Sequence, residues 1–307
     1  MDANPLISFV LIAFKQECYI REAVRGALAQ TYSPLEIILS DDCSPDRTFQ
    51  IMQEEVAKYS GPHQIHLRQN SANNGLASHI NQAFDIASGE IFVIAAGDDV
   101  SIPERTQALH ELYATTRCVA AFSNAMIINA QGISSEPWFD VAWTPDFNRS
   151  RMKISFTHTP MVLGATNSIR RSVWTSFTQF GSDVQQEDVI LALRSRLLGE
   201  IGYTAACLVN YRRHDTNLYC STTLSISVTS ERQERNRGAI HRHTLEDLSR
   251  ARSLETVSAV GCLYYRAAIW STAHLPGPAS RSRWNPTRFL GKVLRFFDRR
   301  LVAFVNR

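Results

Sequence analysis

The sequence predicts an α/β fold: a Rossmann-like, mostly parallel sheet flanked by helices and followed by a helical extension at the carboxyl end. Over residues 1–117, short apolar runs alternate with segments whose apolar side chains recur at helical spacing. The apolar runs are nearly continuous, as in parallel strands that helices cover on both faces. Acidic pairs directly follow two of these runs, and ligands of such sheets bind beyond the carboxyl ends of the strands.

Strands and helices are expected to alternate in order along this first half. Strands are predicted at residues 7–12, 35–40, 64–68 and 90–95. Helices are predicted at residues 19–30, 46–58, 76–87 and 103–115. Ser44 or Asp46 can cap the second helix. Pro103 suits the first turn of the fourth helix, because that turn needs no N–H donor at its start.

The pattern changes after residue 117. Strands are predicted at residues 119–128 and 202–211, and helices at 185–198 and 225–274. Residues 137–148 are aromatic and irregular, which favours a binding loop over a core element. We therefore expect one domain over residues 1–224, whose second half begins at residue 118, and a helical extension over residues 225–307.

Cysteine spacing and apolar content limit the class of protein. The six cysteines show no CxxC spacing, which argues against a zinc site or a disulfide scaffold and fits a reducing cytoplasm. The chain enters a predicted strand almost at once, so we expect no signal peptide. No apolar run approaches the roughly 18 residues that span a bilayer. These observations predict a cytoplasmic protein.

The net charge of +3 is unevenly distributed along the chain. Residues 281–307 hold eight Lys or Arg and one acid, so the other 280 residues carry a net charge of −4. The basic surplus therefore belongs to the tail, and nucleic acid is not an expected partner. Within the tail, residues 286–307 form an amphipathic helical pattern, which favours peripheral contact with the inner face of the cytoplasmic membrane. Packing of this helix on protein is the alternative.

Two acidic pairs follow predicted strands. Asp98-Asp99 comes after residues 90–95, and Asp41-Asp42 comes after residues 35–40. Adjacent carboxylates at the end of a buried strand need a partner, and a divalent cation such as Mn²⁺ or Mg²⁺, or a cation-bound phosphate, supplies one. An exposed turn that caps the next helix is the alternative for either pair. Together the two pairs favour a site for a metal and a nucleoside diphosphate.

Three further motifs carry groups that suit such a site. Asn73-Asn74-Gly75 precedes a helix whose free N–H groups can bind phosphate. Glu187-Asp188 opens another helix, where the helix dipole is expected to keep a carboxylate ionised and able to accept a proton. His214 follows a strand within Tyr211-Arg212-Arg213-His214 and can bind a metal or a diphosphate. A plain turn, a helix cap and a surface loop are the respective alternatives.

The ordered set of motifs resembles family 2 glycosyltransferases. The opening of that family is matched by residues 7–17, 19–20, 29–32 and 35–44. Asn73-Asn74-Gly75, Ala96-Gly97-Asp98-Asp99, Glu187-Asp188 and Tyr211-Arg212-Arg213-His214 then recur in the expected order. The resemblance covers about residues 5–220, and the ordered set is more specific than any one motif.

The resemblance implies a GT-A fold and an inverting transfer of sugar from a nucleoside-diphosphate sugar. The acceptor would be a hydroxyl of a saccharide or lipid-linked molecule in cell-envelope polysaccharide synthesis. Residues 1–117 would then form the nucleotide-binding half and residues 118–224 the acceptor-binding half.

The resemblance also implies roles for single residues. The nucleotide sugar would contact Ala13, Asp41, Asp42, Asn74, Gly75 and Asp98. A divalent cation would be held by Asp99 and His214, with Arg213 on the diphosphate. Asp188 would be the general base, with Glu187 beside it. Trp138 and Trp143 are expected, from composition alone, to stack against the acceptor.

Two departures from the family pattern and four alternatives accompany this interpretation. Ala96 stands where a full Asp-x-Asp motif has its first acid, and Lys15 stands where many members have Asn. A non-catalytic, nucleotide-sugar-binding subunit of an assembly complex is therefore one alternative. A dehydrogenase is disfavoured because no GxGxxG follows the first strand, and no P-loop is present. A phosphate-accepting receiver domain would carry its acid pair after the first strand rather than the second.

Overall fold

The computed structural model describes residues 4–140, 162–215, 217 and 226–256. Its strands are β1 (Ile7–Ala13), β2 (Leu35–Asp41), β3 (Gln64–Gln69), β4 (Ile91–Ala96), β5 (Val100–Ser101), β6 (Cys118–Ile128), β7 (Ser134–Pro137), β8 (Asn167–Arg170) and β9 (Glu200–Arg212). Its helices are α1 (Ile20–Leu28), α2 (Thr48–Val56), α3 (Leu76–Ile86), α4 (Arg105–Thr115), α5 (Arg171–Thr175), α6 (Glu187–Leu198) and α7 (Ile226–Ser253). Within the described ranges, all the strands belong to one sheet.

The first half of the sheet is parallel, as predicted. Its strand order is β3-β2-β1-β4, and β1 pairs with both β2 and β4. Helices α2 and α4 each begin two residues later than predicted. Helix α2 begins at Thr48, because the Asp46 carboxylate accepts the Thr48 N–H at 3.0 Å and ends the preceding loop. Pro103 lies in a turn before α4, not in its first helical turn, and its carbonyl accepts the Thr31 N–H at 3.0 Å.

The second half of the sheet is mixed. Strand β8 runs antiparallel between β4 and β6, whereas β6 and β9 run parallel to each other. The short strands β5 and β8 were not predicted, because two to four residues carry no periodicity that can be recognised. The sheet continues past β4 through β8, so the end of β4 has neighbours on both sides.

Two apolar layers hold the sheet between its helices. Because successive side chains of a strand point to opposite faces, alternate residues of β1 enter different layers. Phe9 lies in the layer packed under α1 and α2, and Val10 lies in the layer under α3 and α5. Both side chains are fully buried. The strands therefore read as continuous apolar runs because each face has its own core.

The start of the aromatic segment belongs to the protein interior. Phe139 is buried, and its backbone N–H and carbonyl both bond the side-chain amide of Asn124 at 3.0 and 2.9 Å. The prediction of an irregular binding loop over residues 137–148 is therefore wrong for Phe139. Residues 141–148, which include Trp143, lie outside the described residues.

Helix α7 accounts for the first part of the predicted helical extension, and it packs against α6. Arg194 of α6 and Asp247 of α7 form a fully buried ion pair with N–O distances of 2.8 and 3.2 Å. The remainder of residues 225–274, and the tail at 286–307, lie outside the described residues. Over the part of the chain that the structure describes, no helix is long and apolar enough to cross a bilayer. The division at residue 224 stays a prediction.

Candidate active site

The predicted acidic motifs meet at one edge of the sheet. In the register of the parallel strands, Ala13 of β1 lies beside Asp41 of β2, and Ile12 lies beside Ala96 of β4. The chain continues beside β1 as it leaves β2, since the Asp42 N–H donates to the Ala13 carbonyl at 3.0 Å. The carboxyl ends of three adjacent strands therefore carry the candidate nucleotide-sugar residues.

Asp42 shapes the loop that precedes α3. Its Oδ1 accepts the Asn70 side-chain amide at 2.6 Å and the Asn74 N–H at 3.0 Å, and its Oδ2 accepts the Gly75 N–H at 2.9 Å. The side chain is almost fully buried. One carboxylate thereby brings two predicted nucleotide-sugar residues, Asn74 and Gly75, to the end of β2.

Asp41 does not reach the surface of the site. Its carboxylate is fully buried and accepts hydrogen bonds from the Ser44 N–H and the Gln69 side-chain amide, both at 2.9 Å. Because Asp41 is the last residue of β2, its side chain points to the opposite side of the chain from that of Asp42. Both members of this acidic pair are therefore buried, but they bind different loops: Asp41 binds the loop after β2, and Asp42 binds the loop before α3.

Gly75 carries a backbone conformation that favours glycine. Its φ is 78° and its ψ is 160°, a region that is nearly restricted to glycine. We expect Gly75→Ala to lower the free energy of unfolding by about 1–3 kcal/mol through backbone strain. Chemical denaturation measures this change.

Gly238→Ala is the matched control for that prediction. An added Cβ meets nothing within 4 Å at either glycine, but Gly238 lies inside α7. Alanine favours a helix by about 0.8–1.0 kcal/mol over glycine, so this variant should be more stable than the wild type. Equal stability of the two variants would contradict the strain at Gly75.

Asp98 and His214 face each other across the sheet edge. Asp98 Oδ2 lies 3.1 Å from His214 Nε2 and 3.4 Å from the side-chain amide of Asn217. The His214 ring also packs on the ring of Tyr19, with centroids 4.6 Å apart. Asp98 follows β4 and His214 follows β9, so this pair is made by the long-range order of the strands.

Asp99 is turned away from His214. Its side chain is buried, and its Oδ1 accepts the Arg212 backbone N–H at 2.7 Å. Burial and the adjacent Asp98 raise the pKa of Asp99 well above its usual range. The expectation that Asp99 and His214 share a metal therefore needs correction: Asp98 is the acid that His214 contacts, because neighbouring residues of the turn point to different sides.

Arg212 holds the turn that contains Asp98 and Asp99, a role that was not predicted from the sequence. Its Nε donates to the Asp98 carbonyl at 2.9 Å, and its Nη2 bonds the Glu22 carboxylate at 2.7 Å. Its guanidinium also lies over the Tyr19 ring, and the side chain is fully buried. The sequence offered one indication of this role. Side chains alternate between the two faces along β9, so Arg212 and Tyr211 point to opposite faces of the sheet.

Arg213 and Trp138 form an accessible pair beside His214. The Arg213 guanidinium is exposed and lies 5.1 Å from the centre of the Trp138 ring. Trp138 in turn contacts Tyr211 edge-on, with ring centroids 5.2 Å apart. A cation and an aromatic ring are therefore held together at the residue that directly precedes His214.

Glu187 and Asp188 open α6 as predicted. The Asp188 carboxylate accepts the Val189 N–H at 2.8 Å and is also hydrogen-bonded by the Gly164 backbone. Burial raises the pKa of Asp188, and these N–H groups oppose the rise. Burial, aided by the adjacent Asp188 charge, raises the pKa of Glu187 to about 8. Removal of water therefore opposes the helix dipole at Glu187, and the expectation of an ionised Glu187 at neutral pH stays a prediction.

Gly164 links these carboxylates to the end of β4. An added Cβ at Gly164 would lie 3.3 Å from the Asp188 Cβ, so the two residues are in close contact. Gly164 comes shortly before β8, which runs antiparallel to β4 with Val93 beside Ser168. The residues before β8 therefore lie along the end of β4, the strand that leads to Asp98. Asp188 is thus brought to the same sheet edge.

The donor atoms present fit a cation that shares its coordination with substrate. Within the described ranges, no group of three or more His, Cys, Asp and Glu side chains is arranged to hold a metal ion. Mg²⁺ usually binds one or two carboxylates, keeps several waters and takes phosphate oxygens from the substrate. Carboxylate and imidazole groups also suit Mn²⁺. Asp98 and His214 supply two such donors beside Arg213.

Curated relatives share parts of the sequence. EpsE, a putative glycosyltransferase of Bacillus subtilis, is 34% identical over 107 residues, 35% of this chain and 38% of that protein. TuaG of B. subtilis, a putative teichuronic acid biosynthesis glycosyltransferase, is 27% identical over 129 residues, 42% and 50% of the two chains. An uncharacterised Mycobacterium tuberculosis protein is 28% identical over 222 residues, 70% and 61%. The chain thus spans less than two thirds of these relatives' lengths.

Solved structures share the fold. S. aureus TarS 1–349 in complex with UDP-GlcNAc superimposes with a TM-score of 0.57 at 17% identity, covering 80% of this chain and 69% of that one. The mannosyltransferase PcManGT from Pyrobaculum calidifontis, in complex with GDP-Man and Mn²⁺, gives a TM-score of 0.52 at 14% identity, with coverages of 96% and 81%. The predicted GT-A fold is confirmed. Residues 8–176, more than half of the chain, match the family described as Glycosyl transferase family 2, and the chain therefore belongs to that family.

Proposed function

We propose that this protein is an inverting glycosyltransferase that moves a sugar from a nucleoside-diphosphate sugar to a saccharide or lipid-linked hydroxyl in cell-envelope polysaccharide synthesis. The observation that carries the proposal is the meeting of three groups at one sheet edge. These are the loop bound by Asp42, the Asp98–His214 pair, and Asp188 held by Gly164. Nucleotide-sugar complexes of structures with this fold support the donor class.

Asp188 is the general base in this proposal. It takes the proton from the acceptor hydroxyl as that oxygen forms a bond to the anomeric carbon. The bond between the anomeric carbon and the diphosphate oxygen breaks on the opposite face, so the configuration inverts. Three backbone N–H groups oppose the rise in the pKa of Asp188, whereas burial and the adjacent Asp188 both raise the pKa of Glu187. Asp188 is therefore the carboxyl group assigned to the base in this proposal.

The Asp98–His214 pair and Arg213 act at the leaving diphosphate. Arg213 is exposed beside His214 and neutralises phosphate charge as the leaving group departs. A divalent cation, when bound by Asp98 and His214, supplies further positive charge to the phosphate oxygens. In this proposal the acceptor sugar stacks against the Trp138 ring. Asp99 and Asp41 keep their buried hydrogen bonds and act only by shaping the loops.

The function is tested by a donor screen. Purified protein is incubated with Mn²⁺ or Mg²⁺, a panel of nucleotide sugars and saccharide acceptors, and released nucleoside diphosphate is measured. Release that depends on one donor supports the transferase. Saturable donor binding without turnover would instead indicate the alternative, a nucleotide-sugar-binding subunit without catalysis.

Asp98→Asn is expected to weaken the metal dependence of the reaction. The change removes the charge of a carboxylate ligand, and even outer-shell partners of metal sites cost about 10–100-fold in metal affinity when removed. We therefore expect the Mn²⁺ concentration for half-maximal activity to rise by at least about tenfold. Calorimetric titration with Mn²⁺ in the presence of donor measures the same change without turnover.

Asp215→Asn is the matched control, since Asp215 is an exposed acid on the loop that carries His214. It should leave the metal dependence unchanged. The same Mn²⁺ requirement in Asp98→Asn and the wild type would rule out Asp98 as a ligand.

Peripheral membrane binding through residues 286–307 is a separate proposal that rests on the amphipathic pattern of that segment. Removal of these residues should shift the protein from the membrane fraction to the supernatant. Unchanged fractionation would favour packing on protein.

A further inference from the structure

Helix α7 holds the segment that leads into α6. The Asn236 side chain on α7 is buried, and its Oδ1 accepts the Gln185 backbone N–H at 3.2 Å. Its Nδ2 donates to the Gln186 side-chain oxygen at 2.5 Å. Gln186 is the residue directly before Glu187. One side chain therefore binds the two residues that precede the catalytic carboxylates of the proposed function.

The orientation of the Asn236 amide follows from chemistry. A backbone N–H can only donate, so the oxygen of the amide must face Gln185 and the nitrogen must face Gln186. Because both ends of the amide are used, the contact restricts both the position and the rotation of the chain at this point.

A second contact on the same side of α7 supports the first. His243 Nε2 accepts the Gly181 N–H at 3.0 Å. His243 lies seven residues after Asn236, which is two helical turns, so the two side chains share one face of the helix. Together they hold both ends of the segment from Gly181 to Gln186.

The residue that precedes α6 gives the helix no side-chain cap. Gln186 occupies the cap position, and its side chain bonds none of the first N–H groups of the helix, of which the Val189 N–H is bound by Asp188. Many helices fix their first turn through such a cap. In this protein the first turn, which carries Glu187 and Asp188, is instead held through the residues that Asn236 binds.

We propose that Asn236 is a positioning residue that holds Asp188 in the orientation required for proton transfer. The inference rests on the proposed function of Asp188 as the base. Asn236 acts through Gln185 and Gln186 rather than on the substrate. In this proposal helix α7, at the beginning of the predicted extension, helps to position the proposed base of the active site.

The test compares kcat with KM in variants of the full chain. Asn236→Ala removes both hydrogen bonds and should lower kcat by about 10–100-fold, because a displacement near 1 Å can cost about 100-fold in rate. The KM for the donor should change by less than about threefold, since the donor loops are untouched. Asn236→Asp keeps an acceptor for the Gln185 N–H and should retain a higher kcat than Asn236→Ala.

Arg242→Ala is the matched control. Arg242 also lies on α7 and contacts the same segment through an ion pair with Asp183, but both side chains are about half exposed. This variant should keep kcat within about twofold of the wild type, because exposed ion pairs contribute little. Hydrogen exchange gives a readout that does not need turnover, and residues 185–190 should exchange faster in Asn236→Ala than in Arg242→Ala.

The outcomes separate the two proposals. Wild-type kcat and unchanged exchange over residues 185–190 in Asn236→Ala would overturn the positioning role, while inactivity of Asp188→Asn would still support the transferase. Full activity of Asp188→Asn would overturn both. Loss of kcat with an unchanged donor KM and faster local exchange supports Asn236 as a positioning residue. Circular dichroism identifies any variant that fails to fold.

Discussion

Asp188→Asn is expected to lower kcat by about 10²–10⁴-fold, the contribution typical of a general base. Asparagine keeps the size of the side chain and an acceptor for the Val189 N–H, which Asp188 binds at 2.8 Å. It cannot take the proton of the acceptor hydroxyl. Steady-state kinetics with the donor identified by the screen measure the loss. Donor binding should persist, because the residues around Asp42 and Asp98 are unchanged.

The role of Asp188 as general base also predicts how kcat depends on pH. A general base works only when ionised, so kcat should fall as the pH falls through the pKa of Asp188. Burial raises that pKa, so the acid limb should lie above the range of an ordinary aspartate. In Asp188→Asn the residual rate should not show this limb.

Glu187→Gln is the control for Asp188→Asn. Burial and the adjacent Asp188 raise the pKa of Glu187 and so favour its neutral form, which glutamine resembles. We expect this variant to keep most of its activity at pH 7. Activity of Asp188→Asn within tenfold of the wild type would contradict the general-base role, and a larger loss in Glu187→Gln would reverse the assignment.

Asp247→Ala is expected to lower the free energy of unfolding by about 3–5 kcal/mol, since it leaves a buried charge without its partner. Arg194 is fully buried and lies over the rings of Phe177 and Phe180, so water cannot easily replace the lost carboxylate. Urea denaturation, followed by circular dichroism, measures the change.

Two controls distinguish the cost of leaving one buried charge unpaired from the net contribution of the ion pair to stability. Replacing both residues with apolar ones, as in Arg194→Met with Asp247→Leu, should recover most of the stability, because no charge is then left buried. Arg242→Ala removes a half-exposed ion pair of the same helix and should cost less than about 1 kcal/mol. An equal cost for Asp247→Ala and Arg242→Ala would contradict the buried-pair argument.

Much of the fold was predictable because its information is local. The strands β1, β2 and β4 are buried on both faces, so their sequences are continuous apolar runs between helical patterns. Strand β8 was missed because four residues, Asn167–Arg170, pair with β4 and β6 only in the folded chain. The interior position of Phe139 was likewise missed, since an aromatic residue in an irregular segment suits a loop and a core equally well.

The family, the parallel half of the sheet and the acidic motifs at its edge could be predicted because they depend on residue types and on their spacing along the chain. The partners that each acid binds depend instead on the folded chain. The backbone of Arg212 binds Asp99 and leaves Asp98 to His214, although Asp98 and His214 are 116 residues apart. Folding also sets the direction in which the pKa of Glu187 shifts, because burial is set by neighbours that are distant in the chain.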